Sequence, residues 1–287
     1  MDAPSPLIEA RAARLLGWRP RSWRVVAGGY TPARRYVVED GRERAFVKLA
    51  TTPLTATYLR GEIAAYAAVR APFMPRLIGW DDDPHAPMLV IEDLSHAVWP
   101  PPWERKTLDA VLDAVTAMHA MSADLPTYAE RHAGHGLGWA MVASAPAAFL
   151  SLGMASADWL AHALPALVEA EAACVTAGMA LAHWDLRSDN MCVAPGGAMF
   201  IDWSGACLSD PALDLGTWLP SLAFEGGPRP DDILPDAPQV AAWVSGFFAA
   251  RAGEPDIPDA PFVRRVQREQ LSTALPWVTR ALGLPEL

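Results

Sequence analysis

Between His183 and Asp202 the chain fits a polar loop, a tight turn and two short apolar runs into one stretch, and this stretch leaves the fewest ways to fold. It reads His183-Trp184-Asp185-Leu186-Arg187-Ser188-Asp189-Asn190, then Met191-Cys192-Val193-Ala194, Pro195-Gly196-Gly197 and Ala198-Met199-Phe200-Ile201-Asp202. Apolar runs on both sides of Pro-Gly-Gly predict a hairpin with a three-residue loop. Pairing Ala194 with Ala198 puts Asn190 opposite Asp202, and opposed residues share a face with side-chain roots about 5 Å apart. A carboxylate and a carboxamide oxygen then converge where the hairpin opens. That donor set suits a hard divalent cation such as magnesium, which keeps water or phosphate oxygens in its other positions. Asp185, on the loop leading in, is placed to accept a proton.

The pattern His-x-Asp-x-x-x-x-Asn, followed after a hairpin by an apolar strand ending in Asp, resembles the catalytic loop and metal-binding Asp of protein kinases. Ile201-Asp202-Trp203 stands in place of Asp-Phe-Gly, and Asp210-Pro211-Ala212-Leu213-Asp214-Leu215-Gly216 follows. With these residues the string is similar to the aminoglycoside phosphotransferase and choline kinase-like family of small-molecule kinases. The alternative is a surface loop that carries His, Asp and Asn by accident, and the ordered spacing from His183 to Gly216 weighs against it. The resemblance implies an α+β, bilobal protein kinase-like fold: a small lobe of five-stranded antiparallel sheet with one main helix, and a larger, mostly helical lobe. It implies ATP and Mg2+ as cofactors, Asp185 as catalytic base, and Asn190 and Asp202 as metal ligands. His183 and Asp214 are expected to hold the loop through backbone bonds.

At 287 residues, 52% of them apolar, the chain has enough material for a sizeable core. The net charge is −10 and the pI near 5.1. With no long basic run either, the charge argues against nucleic acid as a partner. Cys174, Cys192 and Cys207 form no Cys-x-x-Cys pair, which predicts a reduced, cytoplasmic setting. The start Met1-Asp2-Ala3-Pro4-Ser5-Pro6 lacks the basic and apolar regions of a signal peptide. Leu137 to Ala157 carries no charge, but Ser144, Pro146, Ser151 and Gly153 dilute it, so buried helix is expected there rather than a membrane span.

Upstream, Ile8 to Leu16 reads as a helix ended by Gly17, and Arg24 to Ala27 and Arg34 to Glu39 as strands joined through Gly28-Gly29-Tyr30-Thr31. In a kinase-like lobe the Gly29 amide and the Thr31 hydroxyl would face nucleotide phosphates; an ordinary hairpin turn is an equal reading. Arg44 to Ala50 is a third strand, with Lys48 among apolar neighbours. In the following helix, Leu54 to Val69, Glu62 falls inside the stripe Tyr58, Leu59, Ile63 and Tyr66. A carboxylate buried there needs a cation. Lys48 is the candidate, and the pair matches the strand lysine and helix glutamate of the kinase fold. Arg76 to Trp80 and Met88 to Ile91 complete the sheet. The linker after it would meet adenine through the main chain of Glu92 and Leu94, dividing a nucleotide-binding lobe (1–93) from a helical lobe (94–287).

The large lobe reads as helices over Thr107 to Ala120, from an N-cap at Ser156 to Ala177 with a bend at Pro165, over Gln239 to Ala252 and over Pro261 to Leu282. Glu225, Asp231, Asp232 and Asp236 make the Gly- and Pro-rich stretch from Glu225 to Pro238 acidic, with Arg229 its one base. Such a loop would draw a cationic acceptor, an aminoglycoside or another amine-bearing alcohol, with Asp231 and Asp232 holding it; a solvated surface loop is the equal alternative. In the latter case the acceptor is sought on apolar, Trp-lined surfaces near Trp218 and Trp277. The expected function is an O-phosphotransferase acting on a small-molecule hydroxyl, as in antibiotic resistance. The alternatives are a choline-, homoserine- or sugar-type metabolite kinase, a metal-dependent hydrolase, and a non-catalytic kinase-like binding protein.

Overall fold

A helix opens the fold because Ser5 accepts the Ile8 N–H and Pro6 occupies the first turn of α1 (Pro6–Leu16), which Gly17 ends at φ 77°, the left-handed region that glycine tolerates. The computed structural model describes residues 4–29, 31–133, 137–257, 260 and 262–287. Strands β1 (Ser22–Val25), β2 (Arg34–Glu39) and β3 (Arg44–Leu49) form an antiparallel meander. Helix α2 (Pro53–Ala68) follows, capped reciprocally by Thr52 and Thr55, and β4 (Leu77–Asp81) and β5 (Met88–Glu92) extend the sheet to the order β1-β2-β3-β5-β4. This is the five-stranded antiparallel sheet that the sequence predicts.

Alternation along the strands gives the sheet two apolar faces. Tyr36, Val38, Val47 and Val90 turn towards Ala12 of α1. Leu89 and Ile91 turn the other way and join Leu59, Ile63 and Tyr66 of α2 in a core that continues without a break into the helical part of the molecule. The join is tight: Phe73 packs against Phe200 and Trp203, and the Phe200 N–H donates to the Phe73 carbonyl at 2.8 Å.

Beyond the sheet come α3 (Arg105–His119), α4 (Tyr128–Arg131), α5 (Gly138–Ser144), α6 (Ala147–Leu150) and α7 (Ala157–Ala172). The uncharged stretch is the short pair α5 and α6, and among the described residues no helix is long and apolar enough to cross a membrane. Helix α7 starts on the Ser156 cap and ends at Ala172, five residues before the expected Ala177. Then come β6 (Ala180–Ala182), β7 (Met191–Ala194), β8 (Gly197–Phe200) and β9 (Cys207–Ser209), where β6 pairs with β9 and β7 with β8. Helices α8 (Pro211–Phe224), α9 (Pro230–Ile233), α10 (Pro238–Ala252) and α11 (Val263–Ala281) complete the chain. Asp210 caps α8 by accepting from the N–H groups of Ala212 and Leu213.

The hairpin register differs from the expectation by one residue. Ala194 pairs with Gly197 and Met191 with Phe200, so the loop is the two residues Pro195-Gly196, a length whose turn matches strand twist. Asn190 therefore meets Ile201, whose N–H donates to the Asn190 carbonyl at 2.9 Å, and not Asp202. Strand β8 ends at Phe200, and Asp202 leaves it at φ 61°, outside the ladder. Its aim is set by this backbone turn rather than by strand alternation.

Candidate active site

Charges define one end of the site. From β3, Lys48 places Nζ 2.7 Å from Glu62 Oε2 and 3.0 Å from Asp202 Oδ1. Glu62 is 2% exposed, so the α2 carboxylate has its cation where burial would otherwise be costly. Burial works against the Lys48 ammonium, but Glu62 and then Asp202 outweigh it and hold its pKa above the ordinary value. At Asp202 burial is in turn outweighed by Lys48, and the carboxyl sits below its ordinary range.

A second cation, absent from the sequence reading, lies beside this pair. Arg35 of β2 is the cross-strand partner of Lys48. Its guanidinium donates to the carbonyls of Gly28 and Ala33, each at 3.1 Å, and of Thr31 at 3.4 Å, stapling the turn over the cavity. Gly29 stands at φ 77°, and a Cβ on it would come within 2.5 Å of the guanidinium, so both the backbone and the close approach call for glycine. Only the strand register reveals that Arg35 and Lys48 share a face.

The loop after β6 is held from beneath by one carboxylate. Asp214, buried in the first turn of α8, accepts the His183 N–H at 3.1 Å and the Trp184 N–H at 2.7 Å, and bonds His119 Nε2 at 2.8 Å. Trp184 is thereby kept at φ 63°. The His183 ring is fully buried, and burial lowers its pKa, so it is neutral. Its Nε2–H donates to the Ile201 carbonyl at 3.0 Å, while Nδ1 accepts the Asp185 N–H at 3.3 Å, one tautomer serving both bonds. His183 thus ties the loop to the residue before Asp202.

Asp185 follows. Asn190 Nδ2 donates to both its backbone carbonyl (2.9 Å) and its Oδ2 (2.8 Å). Both partners are acceptors, which fixes the amide nitrogen on that side and leaves Asn190 Oδ1 for another ligand. The Asp185 side chain keeps 41% of its surface open, yet the desolvation of its deep position raises its pKa, with Arg187, 3.7 Å away, opposing.

A single cavity of about 370 Å³ joins these groups. It runs from Gly29 and Thr31 past Lys48, Asp202, Asn190 and Asp185 to Trp184, Trp243, Phe247 and Gln270. Glu62 lies behind Lys48, outside the lining. Glu92 and Leu94 also lie outside it: the Glu92 N–H bonds the Arg76 carbonyl at 3.0 Å, and the Leu94 carbonyl takes the Ala97 N–H at 3.0 Å and the Trp99 indole at 3.4 Å. The donor set fits magnesium. Asp202 and the free Asn190 oxygen are hard ligands on one cavity with two phosphate-seeking cations, and magnesium needs only one or two protein oxygens besides phosphates and water.

The acidic segment is corrected by the structure. Asp231 forms an ion pair with Arg280 of α11, and Asp232 pairs with Arg229 at 3.2 Å; neither lines the cavity. Glu225 accepts from the Ser188 hydroxyl at 2.6 Å and the Trp103 indole at 2.9 Å, bracing the loop after Asp185. Helix α9 fixes this segment against α11, and the two expected acceptor-binding carboxylates, Asp231 and Asp232, are each engaged by an arginine of the protein. Trp218 and Trp277, the other sequence candidates, are buried core residues, and the aromatic lining comes from Trp184 and α10 instead.

Comparison with known proteins follows the same geometry. The model of the phosphotransferase enzyme family matches residues 22–252. No curated protein matches the chain. Among solved structures, a thermostable mutant of the aminoglycoside phosphotransferase APH(4)-Ia with ADP and hygromycin B aligns with TM-score 0.57 at 15% identity, over 96% of this chain and 98% of that one. Choline kinase LicA from Streptococcus pneumoniae gives 0.57 at 14%, over 96% and 98%. Spectinomycin phosphotransferase APH(9)-Ia with ADP and spectinomycin gives 0.57 at 12%, over 99% and 100%. At these identities the structures show a shared fold.

Proposed function

Since the chain belongs to the phosphotransferase enzyme family, and is thereby a small-molecule phosphotransferase, we propose that it moves the γ-phosphoryl group of ATP, with magnesium, to a hydroxyl of a small acceptor. The observation that carries this reading is the placement of Asp185 on the same cavity as Asn190, Asp202 and the Lys48–Glu62 pair. Phosphoryl transfer asks for positioning and charge neutralisation more than covalent help. Magnesium supplies the charge that draws electron density from the phosphates. Lys48, steadied by Glu62, neutralises phosphate oxygens, and Arg35 adds a second positive charge while shaping the Gly29–Thr31 turn above them. Asp202 and the Asn190 oxygen are the proposed metal ligands. Asp185 orients the acceptor hydroxyl and takes its proton; a raised pKa makes it a stronger base than an ordinary carboxylate. Asn190 holds the other Asp185 oxygen, so one lone-pair edge faces the acceptor. His183 and Asp214 keep the loop in place without touching substrate. The two proposed units are residues 1–93, which handle nucleotide, and 94–287, which carry the base and the acceptor.

The hydrolase alternative loses its ligand set, since His183 is committed to the Ile201 carbonyl and, among the described residues, no three His, Cys, Asp or Glu gather as metal ligands. Calorimetry with ATP, with and without magnesium, tests the proposal: magnesium-dependent binding that disappears in Asp202→Ala is the expected result. Magnesium-independent or absent binding would overturn it.

A further inference from the structure

The cavity changes character beyond Asp185. Its far wall is Trp184, Trp243, Val244, Phe247 and Phe248, with Gln270 of α11 beside them. The rings brace one another: Trp184 stacks on Tyr128 at 4.5 Å between centroids, and Trp243 lies within 12° of parallel to Phe247 at 5.8 Å. This wall is built before any ligand arrives. Gln270 is only 6% exposed, and among the described residues its side-chain amide makes no hydrogen bond. The amide atoms stay open to the cavity, where a ligand can reach them. Its side chain lines the cavity, so its donor and its acceptor both await a partner there.

Charge narrows that partner further. Apart from Asp185, Asp189 and Asp202, no acid stands among the described residues lining the cavity. The nearby cations are on the protein: the Arg251 guanidinium lies 4.2 Å from the Phe247 ring centroid, and Arg264 bonds Gln267 at 2.9 Å. The three carboxylates already have cations of the protein, Arg187 at 2.8 Å from Asp189 and 3.7 Å from Asp185 and Lys48 at 3.0 Å from Asp202, so a cationic ligand would find each of them engaged and would share the Phe247 ring with Arg251. An anion would be repelled by the phosphates of ATP, which already draw on the cations of the cavity. An uncharged molecule remains, with an apolar ring face for the tryptophans and hydroxyls for the amide.

Resting on the phosphotransferase reading above, we propose that the acceptor is an uncharged, hydroxyl-bearing ring compound of the neutral glycoside type, laid against Trp184 and Trp243 and hydrogen-bonded by Gln270. In the step, the acceptor oxygen forms a bond to the γ-phosphorus, the bond from that phosphorus to the bridging oxygen of ADP breaks with its electron pair leaving on ADP, and the hydroxyl proton passes to Asp185.

Quenching of tryptophan fluorescence in the full chain with ADP and magnesium tests this, using p-nitrophenyl β-glucoside as the neutral probe against kanamycin and choline. The glucoside is expected to bind about tenfold more tightly than either cation, and Gln270→Leu to weaken it about tenfold, the loss of one buried hydrogen-bonding group. Gln270→Glu, of nearly the same shape, should reverse the preference towards kanamycin. Tighter binding of kanamycin or choline to the wild type, no quenching by the glucoside, or an unchanged preference in Gln270→Glu overturns the proposal. Magnesium-dependent ATP binding is measured on the same preparation. If it persists while the probe order is reversed, only the acceptor class fails; if it is absent, the phosphotransferase reading fails.

Discussion

The sheet side of the cavity is built from charges that satisfy one another, and the helical side from rings that pack on one another. On the sheet side Lys48, Glu62, Asp202 and Arg35 come from four different elements or turns and hold their positions through ion pairs and carbonyl bonds. On the helical side Trp184, Trp243 and Phe247 are positioned by ring contacts, with a buried amide beside them. The first end suits the nucleotide phosphates proposed for it, since fixed charges demand a ligand of fixed charge. The second end, the proposed acceptor side, is free to vary, because apolar packing tolerates many shapes while a charge network tolerates few.

The sharpest way to break this contrast is at the boundary between the two ends. Asp185→Asn should lower turnover by about 100- to 10,000-fold, the range of a general base, while calorimetric ATP–magnesium binding stays near wild type. A variant that keeps half the activity would remove Asp185 from its role. Next comes the charged end itself. Lys48→Met leaves Glu62 buried without its cation and should cost about 3 to 5 kcal/mol, seen as a large fall in melting temperature. The double variant Lys48→Met with Glu62→Leu should regain most of that stability and none of the activity. Equal losses in the single and double variants would mean that the pair acts independently.

At the apolar end, Trp243→Ala is expected to raise the acceptor KM by roughly 10- to 100-fold, in line with ring truncations in buried binding sites, with the KM for ATP little changed. Equal shifts in both would erase the distinction between the ends. The smallest effect concerns Glu171, which lies beneath the aromatic wall and accepts the N–H groups of Gly138 and Trp139 at 2.7 and 2.8 Å. Burial raises its pKa from 4.5 to about 7. Between these values the folded chain holds a proton that the unfolded chain has released, so the Glu171 contribution to stability is complete below about pH 4.5 and is lost as pH rises through about 7. Glu171→Gln should flatten the fall in melting temperature across that window by a few degrees, measured by calorimetry; an unchanged slope would place the titration elsewhere.

The charged end was largely legible in the sequence because its chemistry is local or motif-borne. A carboxylate within an apolar helical stripe signals a buried partner, and Asp185 and Asn190 sit on a fixed spacing. Two things escaped. The hairpin register turns on whether Gly197 belongs to the loop or to the strand, and composition does not decide that. Arg35 became visible only through its pairing with Lys48. The apolar end was hidden for a different reason: Trp184, Trp243 and Gln270 are distant in sequence, and their meeting depends on the packing of α10 on α11. The acidic segment misled because a charge count over neighbouring residues does not show which pair up: Arg229 closes on Asp232, and Arg280, from a helix distant in sequence, on Asp231. The fold class, by contrast, followed from strand and helix periodicity together with the family resemblance.

The continuity between the face of the sheet that α2 covers and the helical core bears on how the protein melts. Phe73, Phe200 and Trp203 form a shared seam, closed by a backbone bond, so neither half has a complete interior of its own. Such a molecule is expected to melt as one cooperative unit, tested by a single calorimetric transition whose van't Hoff and measured enthalpies agree. A chain cut after Asp93 would expose the seam on both fragments. The proposed division of labour falls at the cavity, but the cooperativity that sustains both halves does not divide there.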